Sequence, residues 1–143
     1  MDIFAQLKTG ILTDSPEATE LIARAVAQAL PQNCTLALHG DLGAGKTTFV
    51  RGLARQWGIC GHITSPSFNI YNIHEGTRQL VHVDAYRLES AADFEALMLD
   101  EFLRPPYCLA VEWPEKITGA LSADALCLEF SIREDKHLLK LAD

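Results

Sequence analysis

A glycine-rich loop between an apolar run and a helical pattern constrains the fold of this chain more than any other feature. Residues 40–47 read GDLGAGKT and fit the phosphate-loop pattern G-x-x-x-x-G-K-[ST] without a mismatch. The apolar run CTLAL at 34–38 predicts a strand buried on both faces, and Phe49 and Leu53 keep helical spacing towards Gly58, a suitable C-terminal cap. Such a loop lets successive N–H groups point at phosphate oxygens at a helix N-terminus, so the segment predicts a nucleotide-binding α/β fold.

Three side chains of this segment have the chemistry of a nucleoside triphosphate site. Lys46 is expected to reach the β and γ phosphates, and the hydroxyl of Thr47 is expected to be a magnesium ligand. Thr48 stands one step further into the helix and could also reach a phosphate. The N-K-x-D motif with which a GTPase normally reads guanine does not occur in the sequence, which favours ATP.

Two acidic residues stand at the ends of predicted strands. Asp84 closes the apolar run at 80–83, and Glu112 closes the run at 108–111. Because ligands bind outside the carboxyl ends of strands in α/β sheets, both acids are expected beside the glycine-rich loop. One would hold Mg²⁺, directly or through water, and the other could position the attacking water, which makes Lys46, Asp84 and Glu112 the predicted catalytic set. The alternative for each acid alone is a carboxylate merely solvated beyond a strand.

Other features near these acids stay open from the residues alone. Residues 64–68 read TSPSF and place three hydroxyls around a proline, which suits either a segment that senses the γ-phosphate or an ordinary turn. His82 shares a strand face with Asp84, but the histidines show no metal-ligand spacing. Trp113 is more typical of a core or an interface than of a stacking platform for a base.

The remaining patterns predict a single domain, residues 1–143, with an α/β fold of the P-loop NTPase type: three layers around a central sheet that mixes parallel and antiparallel strands. Ser15 and Pro16 favour a helix start, and Pro31 ends that helix. A third helix, after the one that follows the glycine-rich loop, is predicted over 90–103. Further strands are predicted at 67–74 paired with 79–84, at 107–111, and at 125–132 paired with 137–141.

The composition excludes several classes of function. The 143 residues, 48% of them hydrophobic, suffice for one domain with a substantial core. Only 12 lysines and arginines stand against 19 acidic residues, which argues against an unaided electrostatic grip on nucleic acid. The four cysteines form no C-x-x-C pair, which argues against a zinc site or a redox dithiol. Cys34, Cys108 and Cys127 lie in or beside apolar runs and are expected to be reduced, buried thiols. Without a signal peptide or a membrane-length apolar run, the chain is expected to be cytoplasmic, with no membrane contact.

Four motifs follow one another along the chain: GDLGAGKTT at 40–48, SPSF at 65–68, HVDAYRL at 82–88 and VEWP at 111–114. In this order and spacing they resemble the TsaE family of bacterial ATPases of tRNA threonylcarbamoyladenosine biosynthesis. The similarity covers roughly residues 10–132. The third position of SPSF is often Thr in the family, and Ser67 keeps the hydroxyl. The C-terminal tail is short beside that of many relatives.

The resemblance implies a Mg²⁺-dependent ATPase with a slow intrinsic rate that works with the TsaB and TsaD proteins. Together they would place threonylcarbamoyl on adenosine 37 of tRNAs that read codons beginning with A. The transfer itself would belong to the partners, and tRNA would be reached indirectly through the complex. This division of labour agrees with the acidic composition of the chain.

The resemblance also assigns residues by position. Thr47 and Glu112 would ligate magnesium, and Asp84 is the other acid expected to matter for hydrolysis. The first helix around Glu17 and Thr19 and the last hairpin near Lys136 would border the adenine. The residues expected to wrap the phosphates of ATP or ADP are Asp41, Leu42, Gly43, Ala44, Gly45, Lys46, Thr47 and Thr48.

Two other uses of such a site remain as alternatives. One is a nucleotide-gated binding module whose hydrolysis is incidental. The other is a small-molecule kinase, which needs an acceptor pocket and usually a basic lid, for which this chain offers no Arg-rich insertion and little length.

Overall fold

The helices and strands of the protein are given by a computed structural model that describes residues 2–142; the predicted domain bounds at Met1 and Asp143 lie outside these residues. Helices α1 to α4 cover Ile3–Thr9, Pro16–Ala29, Lys46–Gln56 and Ala91–Glu95. Strands β1 to β7 cover Ile11–Thr13, Asn33–His39, Tyr71–His74, Gln79–Asp84, Tyr107–Glu112, Leu126–Arg133 and Lys136–Leu141. Short 3-10 helices cover Ala85–Arg87, Leu99–Glu101 and Pro114–Ile117.

The strands form one mixed sheet in the order β1-β7-β6-β2-β5-β4-β3. The pairs β2–β5, β2–β6 and β4–β5 are parallel, whereas β3–β4, β6–β7 and β1–β7 are antiparallel. The predicted α/β fold with a mixed central sheet is therefore confirmed. In the register of the central strands, Glu112 lies opposite both Leu38 and Asp84, so β2, β4 and β5 reach the same edge of the sheet together.

Apolar side chains cover both faces of this sheet. On one face, α1, α2 and α3 pack on a core in which Leu36, Leu38 and Phe49 are fully buried. On the other face, Val81 and Val111 pack with the 3-10 helices and α4. Full burial of one such side chain contributes about 1.5–3 kcal/mol to folding, so the two cores fix the strands whose ends carry the acids.

The ends of the two long helices follow from local sequence. The hydroxyl of Ser15 accepts a hydrogen bond from the amide of Ala18 at 3.1 Å, and Pro16 occupies the first turn of α2. Beyond the C-terminal end of α3, Gly58 has a φ of 68° and its amide donates to the carbonyl of Arg55. Both helix boundaries predicted from the sequence are confirmed.

Helices α2 and α3 pack closely at Gly52. A Cβ at this position would lie 2.6 Å from the Cβ of Ala23 and 2.7 Å from the carbonyl oxygen of Glu20. In an open helix, alanine is favoured over glycine by about 1 kcal/mol. Here the backbone of α2 stands in the way, so the close approach of the helices depends on the missing side chain.

We therefore expect Gly52→Ala to destabilise the protein by about 1–3 kcal/mol, because overpacking outweighs the helix preference of alanine. The free energy of unfolding in urea measures the effect. Gln28→Ala, at an exposed position of α2, serves as the control and should change it by less than about 0.5 kcal/mol. A Gly52→Ala protein as stable as the parent would mean that the two helices can separate at no cost.

The helix predicted over 90–103 is wrong beyond Glu95. The chain turns at Met98, whose φ is 54°, and continues as a 3-10 helix in which Leu99 is buried while Met98 and Phe102 are exposed. Gln79 stabilises this backbone conformation, since its side-chain amide Nε2 donates to the carbonyl of Phe102 at 3.0 Å. Its side-chain oxygen also accepts from the amide of the following arginine at 104. Long-range contacts thus override the local helical pattern.

Two other boundaries differ from the predictions. The strand predicted at 67–74 begins only at Tyr71, because Ile70 has a φ of 71° and the preceding serines turn towards Asp84. Helix α1 and strand β1 were not predicted at all. The signal for α1 is local, since Asp2 accepts from the amide of Ala5 at 2.8 Å and caps the helix. Strand β1 instead depends on its antiparallel pairing with the distant strand β7.

Candidate functional site

The carboxyl ends of β2, β4 and β5 border a cleft of about 370 Å³. The glycine-rich loop at 40–45 and the first turn of α3 line one side, and the ends of β4 and β5 line the other. Asp41 and Ala44 lie outside the lining but brace the loop, because the amide of Ala44 donates to the carbonyl of Asp41 at 3.1 Å. The predicted site residues that line the cleft are Leu42, Gly43, Gly45, Lys46, Thr47, Thr48, Asp84 and Glu112.

Two glycines give the loop its course. Gly40 has a φ of 154°, and a Cβ there would lie 2.5 Å from the carbonyl oxygen of Phe130. Gly45 has a φ of 109° and stands at the N-cap of α3 without a side chain to cap the helix. The first amides of α3 therefore face the cleft without a side-chain acceptor from their own cap. An uncapped helix N-terminus of this kind favours an anion.

Lys46 is buried at the base of the loop. Its Nζ donates to the carbonyl oxygen of Gly40 and lies 3.8 Å from the ring centroid of Trp113. Burial lowers the pKa of Lys46, and the carboxylates of Glu112, Glu115, Asp84 and Asp41, in decreasing order of effect, act in the opposite direction. The lysine therefore stands between the loop and the two predicted acids.

Glu112 is held by two donors that reach the same oxygen. The Thr47 hydroxyl lies 3.1 Å from Glu112 Oε2, and His82 Nε2 lies 2.6 Å from that atom. Glu112 and His82 are both buried, so an ionised Glu112 requires the ring to donate from Nε2. Within residues 2–142, His82 Nδ1 has no hydrogen-bond partner. His82 thus orients the carboxylate towards the hydroxyl of Thr47 in the first turn of α3.

Asp84 accepts hydrogen bonds from the segment at 64–68. Its Oδ2 accepts from the hydroxyl of Ser65 at 2.8 Å and from that of Ser67 at 3.1 Å, while Oδ1 accepts from the amide of Tyr86 at 3.0 Å. Both serines line the cleft. Phe68, next to them, is 85% exposed. The segment is therefore tied to the acid at the end of β4.

The far end of the cleft joins α2 and β7. Pro16, Thr19 and His137 line it there, and His137 Nδ1 lies within hydrogen-bond distance, 2.9 Å, of the Ala44 carbonyl. Glu17, Thr19 and Lys136 were expected near this end of the cleft. Thr19 is part of the lining, but Glu17 is exposed outside it, and His137 lies there instead of its exposed neighbour Lys136.

The roles of His82 and His137 were missed by the sequence interpretation. For His82, the strand face that it shares with Asp84 was recognised, but its contact with Glu112 on the neighbouring strand was not predicted. No local signal pointed to His137, which reaches the loop across 93 positions of sequence. In the described part of the chain, no cluster of three or more His, Cys, Asp or Glu side chains could hold a metal, so the metal site predicted from Thr47 and Glu112 would need ligands from its substrate or water.

Residues 2–142 contain no helix with the length and apolar character of a membrane span.

A model of the family "Threonylcarbamoyl adenosine biosynthesis protein TsaE" matches residues 13–139. A protein named tRNA threonylcarbamoyladenosine biosynthesis protein TsaE from Synechocystis is 43% identical over 105 residues, which span 70% of this chain and 66% of that protein. The protein of the same name from Bacillus subtilis is 39% identical over 115 residues, 80% of this chain and 72% of that protein.

A solved structure agrees with these sequence matches. The crystal structure of Bacillus subtilis YdiB superposes with a TM-score of 0.76 at 33% identity, covering 92% of this chain and 82% of YdiB. The family match extends over the glycine-rich loop, both acids and the serine segment. This chain is therefore a member of the TsaE family of threonylcarbamoyladenosine biosynthesis proteins.

Proposed function

We propose that this protein is a cytoplasmic, weak Mg²⁺-dependent ATPase required for threonylcarbamoyl modification of adenosine 37 in tRNAs that read codons beginning with A. It would act with TsaB and TsaD and would not perform the transfer itself. The observation that carries the proposal is the hydrogen bond from Thr47 to Glu112, 3.1 Å long, at the mouth of the glycine-rich loop in a TsaE-family chain. The net charge of −7 supports a contact with tRNA that runs through the partners.

The chemistry of the donor set fits magnesium. The Thr47 hydroxyl and the Glu112 carboxylate are hard oxygen donors, and Mg²⁺ combines one or two such protein ligands with phosphate oxygens and water. Bound there, the ion would neutralise charge that develops on the transferring phosphoryl group. His82 keeps Glu112 Oε2 beside the Thr47 hydroxyl, so the two donors are already together.

The cleft also fits the phosphates of ATP or ADP. The uncapped amides at the start of α3 and the Nζ of Lys46 are donors for phosphate oxygens. To serve there, Lys46 would exchange its contact with the Gly40 carbonyl for a phosphate oxygen. Asp84 would orient the attacking water, and the hydroxyls of Ser65 and Ser67, which donate to its Oδ2, would fix the position of that carboxylate.

Reconstitution of the tRNA modification over multiple turnovers tests this function. With TsaB, TsaD, tRNA and a threonylcarbamoyl donor, we expect the number of modified adenosines per TsaD to rise well above one only when this protein and ATP are both present. The measurement is nucleoside analysis of the digested tRNA. A protein heated to unfold it controls for carried-over components, and an equal yield without this protein would contradict the proposed function.

A second candidate is a binding module that ATP occupancy alone controls. This candidate is favoured by the hydrogen bond from Ser67 to Asp84 and by the exposure of the next residue, Phe68. A ligand that displaced this hydrogen bond would move Ser67 and, with it, a side chain on the protein surface. Asp84→Asn separates the candidates. If the ATPase is needed, we expect this variant to bind ATP within about threefold of the parent but to lose turnover by about 100-fold, together with the tRNA modification. Normal modification without hydrolysis would favour the binding module.

A further inference from the structure

A pair of cysteines lies at the other end of the sheet, away from the cleft. Cys34 near the start of β2 is the register partner of Cys108 near the start of β5. Adjacent strands lie about 4.8 Å apart, and register partners in a parallel pair point to the same face, so their Cα atoms fall within the range that a disulfide spans. The pairing depends on strand register, which is why the spacing of cysteines along the sequence did not reveal it.

The two thiols are not equivalent. Cys108 is fully buried, as expected from the sequence. Cys34 was expected to be buried too, but it is only partly buried and lines a groove of about 680 Å³ together with Pro31, Asn33 and Tyr107. A small reagent in this groove can therefore contact Cys34, while Cys108 is closed to solvent. Lys8 and Asp124 also line the groove and bring one charge of each sign.

Arg78 places a fixed positive charge beside Cys34. Its Nη1 lies 3.6 Å from Cys34 Sγ, and the guanidinium also donates to the carbonyls of Leu30 and Pro31. The guanidinium stacks on the ring of Trp57, 4.9 Å from the centroid. Within residues 2–142, none of the ion pairs neutralises Arg78 with a carboxylate.

The surroundings of the two thiols shift their pKa values in opposite directions. A hydrogen bond from Cys108 and the charge of Arg78 lower the pKa of Cys34, although its burial acts in the opposite direction. The same hydrogen bond, together with burial, raises the pKa of Cys108. A thiolate, not a thiol, is the nucleophile, and Cys34 is the thiol that lies beside the Arg78 guanidinium and borders the groove, so Cys34 is the reactive member of the pair.

From this arrangement we propose that Cys34 and Cys108 form a redox modification site in which a hydroperoxide oxidises Cys34 and Cys108 resolves the product. The Cys34 thiolate attacks one oxygen of H₂O₂, the O–O bond breaks, and hydroxide leaves, which gives a sulfenic acid on Cys34. The hydroxide takes the proton of Cys108 and becomes the first water. The Cys108 sulfur then attacks Cys34 Sγ, the S–O bond breaks, and the departing hydroxide takes up the proton that Cys34 lost on ionising, which gives the second water. The two thiols lose two electrons, and H₂O₂ becomes two waters.

The pH dependence of alkylation tests the nucleophile. A full-length chain with Cys60→Ser, Cys127→Ser and Cys108→Ala reports on Cys34, and a chain with Cys34→Ser, Cys127→Ser and Cys108→Ser reports on the exposed Cys60. A third chain, with Cys60→Ser and Cys127→Ser, keeps both Cys34 and Cys108. In this chain we expect the iodoacetamide rate of Cys34 to reach its half-maximum at a lower pH than the rate of Cys60 does in the second chain. In that third chain, Arg78→Gln should slow Cys34 alkylation at neutral pH by about tenfold. A Cys34 profile that coincides with that of Cys60 would overturn the proposal.

Oxidation of the third chain tests the resolving step. After stoichiometric H₂O₂, we expect both free thiols to disappear and a digest without reductant to contain a peptide that joins residues 34 and 108. With Cys108→Ala, a dimedone adduct on Cys34 should accumulate instead. A sulfenic acid on Cys34 that persists while Cys108 stays a free thiol would also overturn the proposal. None of these readouts requires ATP, so they stand apart from the test of the proposed function.

Discussion

Replacing Lys46 with alanine is expected to weaken ATP binding by about 100-fold. Among the described residues that line the cleft, Lys46 is the only lysine or arginine, and its Nζ lies between the glycine-rich loop and the two acids. Hydrogen bonds to charged groups contribute up to about 3 kcal/mol, and every 1.4 kcal/mol is a factor of ten in affinity. Isothermal titration with ATP in the presence of Mg²⁺ measures the loss.

Lys116→Ala is the matched control for the removal of one positive charge. Lys116 lies near the site, over the ring of Tyr86 at 5.1 Å, but does not line the cleft. We expect its loss to change ATP affinity by less than about threefold, because exposed charges are screened by solvent and salt. Unchanged affinity in Lys46→Ala would contradict the assignment of residues 40–48 to phosphate binding.

The parts of the site that were predictable depend on short stretches of sequence. The glycine-rich loop is contiguous, and its position between β2 and α3 follows from the periodicity on either side of it. Asp84 and Glu112 were expected at one edge because each ends an apolar strand, and the parallel register of β4 and β5 does bring them side by side. Local pattern therefore located the loop and both acids.

The parts that were not predictable depend on how distant segments meet. His82 reaches Glu112 only because β4 and β5 are neighbours, and the pairing of Cys34 with Cys108 has the same origin in the register of β2 and β5. The helix expected over 90–103 failed for a related reason, since the side chain of Gln79 fixes the backbone at Phe102. Sequence periodicity carries no information on such contacts.

Replacing Glu112 with glutamine is expected to lower ATP turnover by about 100- to 1,000-fold and to raise the Mg²⁺ concentration needed for half-maximal rate. The amide keeps the shape of the side chain and an oxygen that accepts from His82 or Thr47, so the fold should survive, but the charge that attracts the ion is lost. A metal ligand of this kind contributes several kcal/mol to stabilisation of the transition state. Phosphate release during a Mg²⁺ titration measures both effects.

Two comparisons show whether the charge of Glu112 acts on the metal. In the presence of EDTA, the ATP affinity of Glu112→Gln should stay within about twofold of the parent's, because the amides of α3 and Lys46 bind phosphate without the ion. Glu115→Gln removes a nearby acid that is half-exposed and lies 3.7 Å from His39, and it should leave the Mg²⁺ titration unchanged. If Glu112→Gln had the same Mg²⁺ dependence as the parent, Asp84 would become the direct metal ligand, and Glu112 the residue that His82 holds for the attacking water.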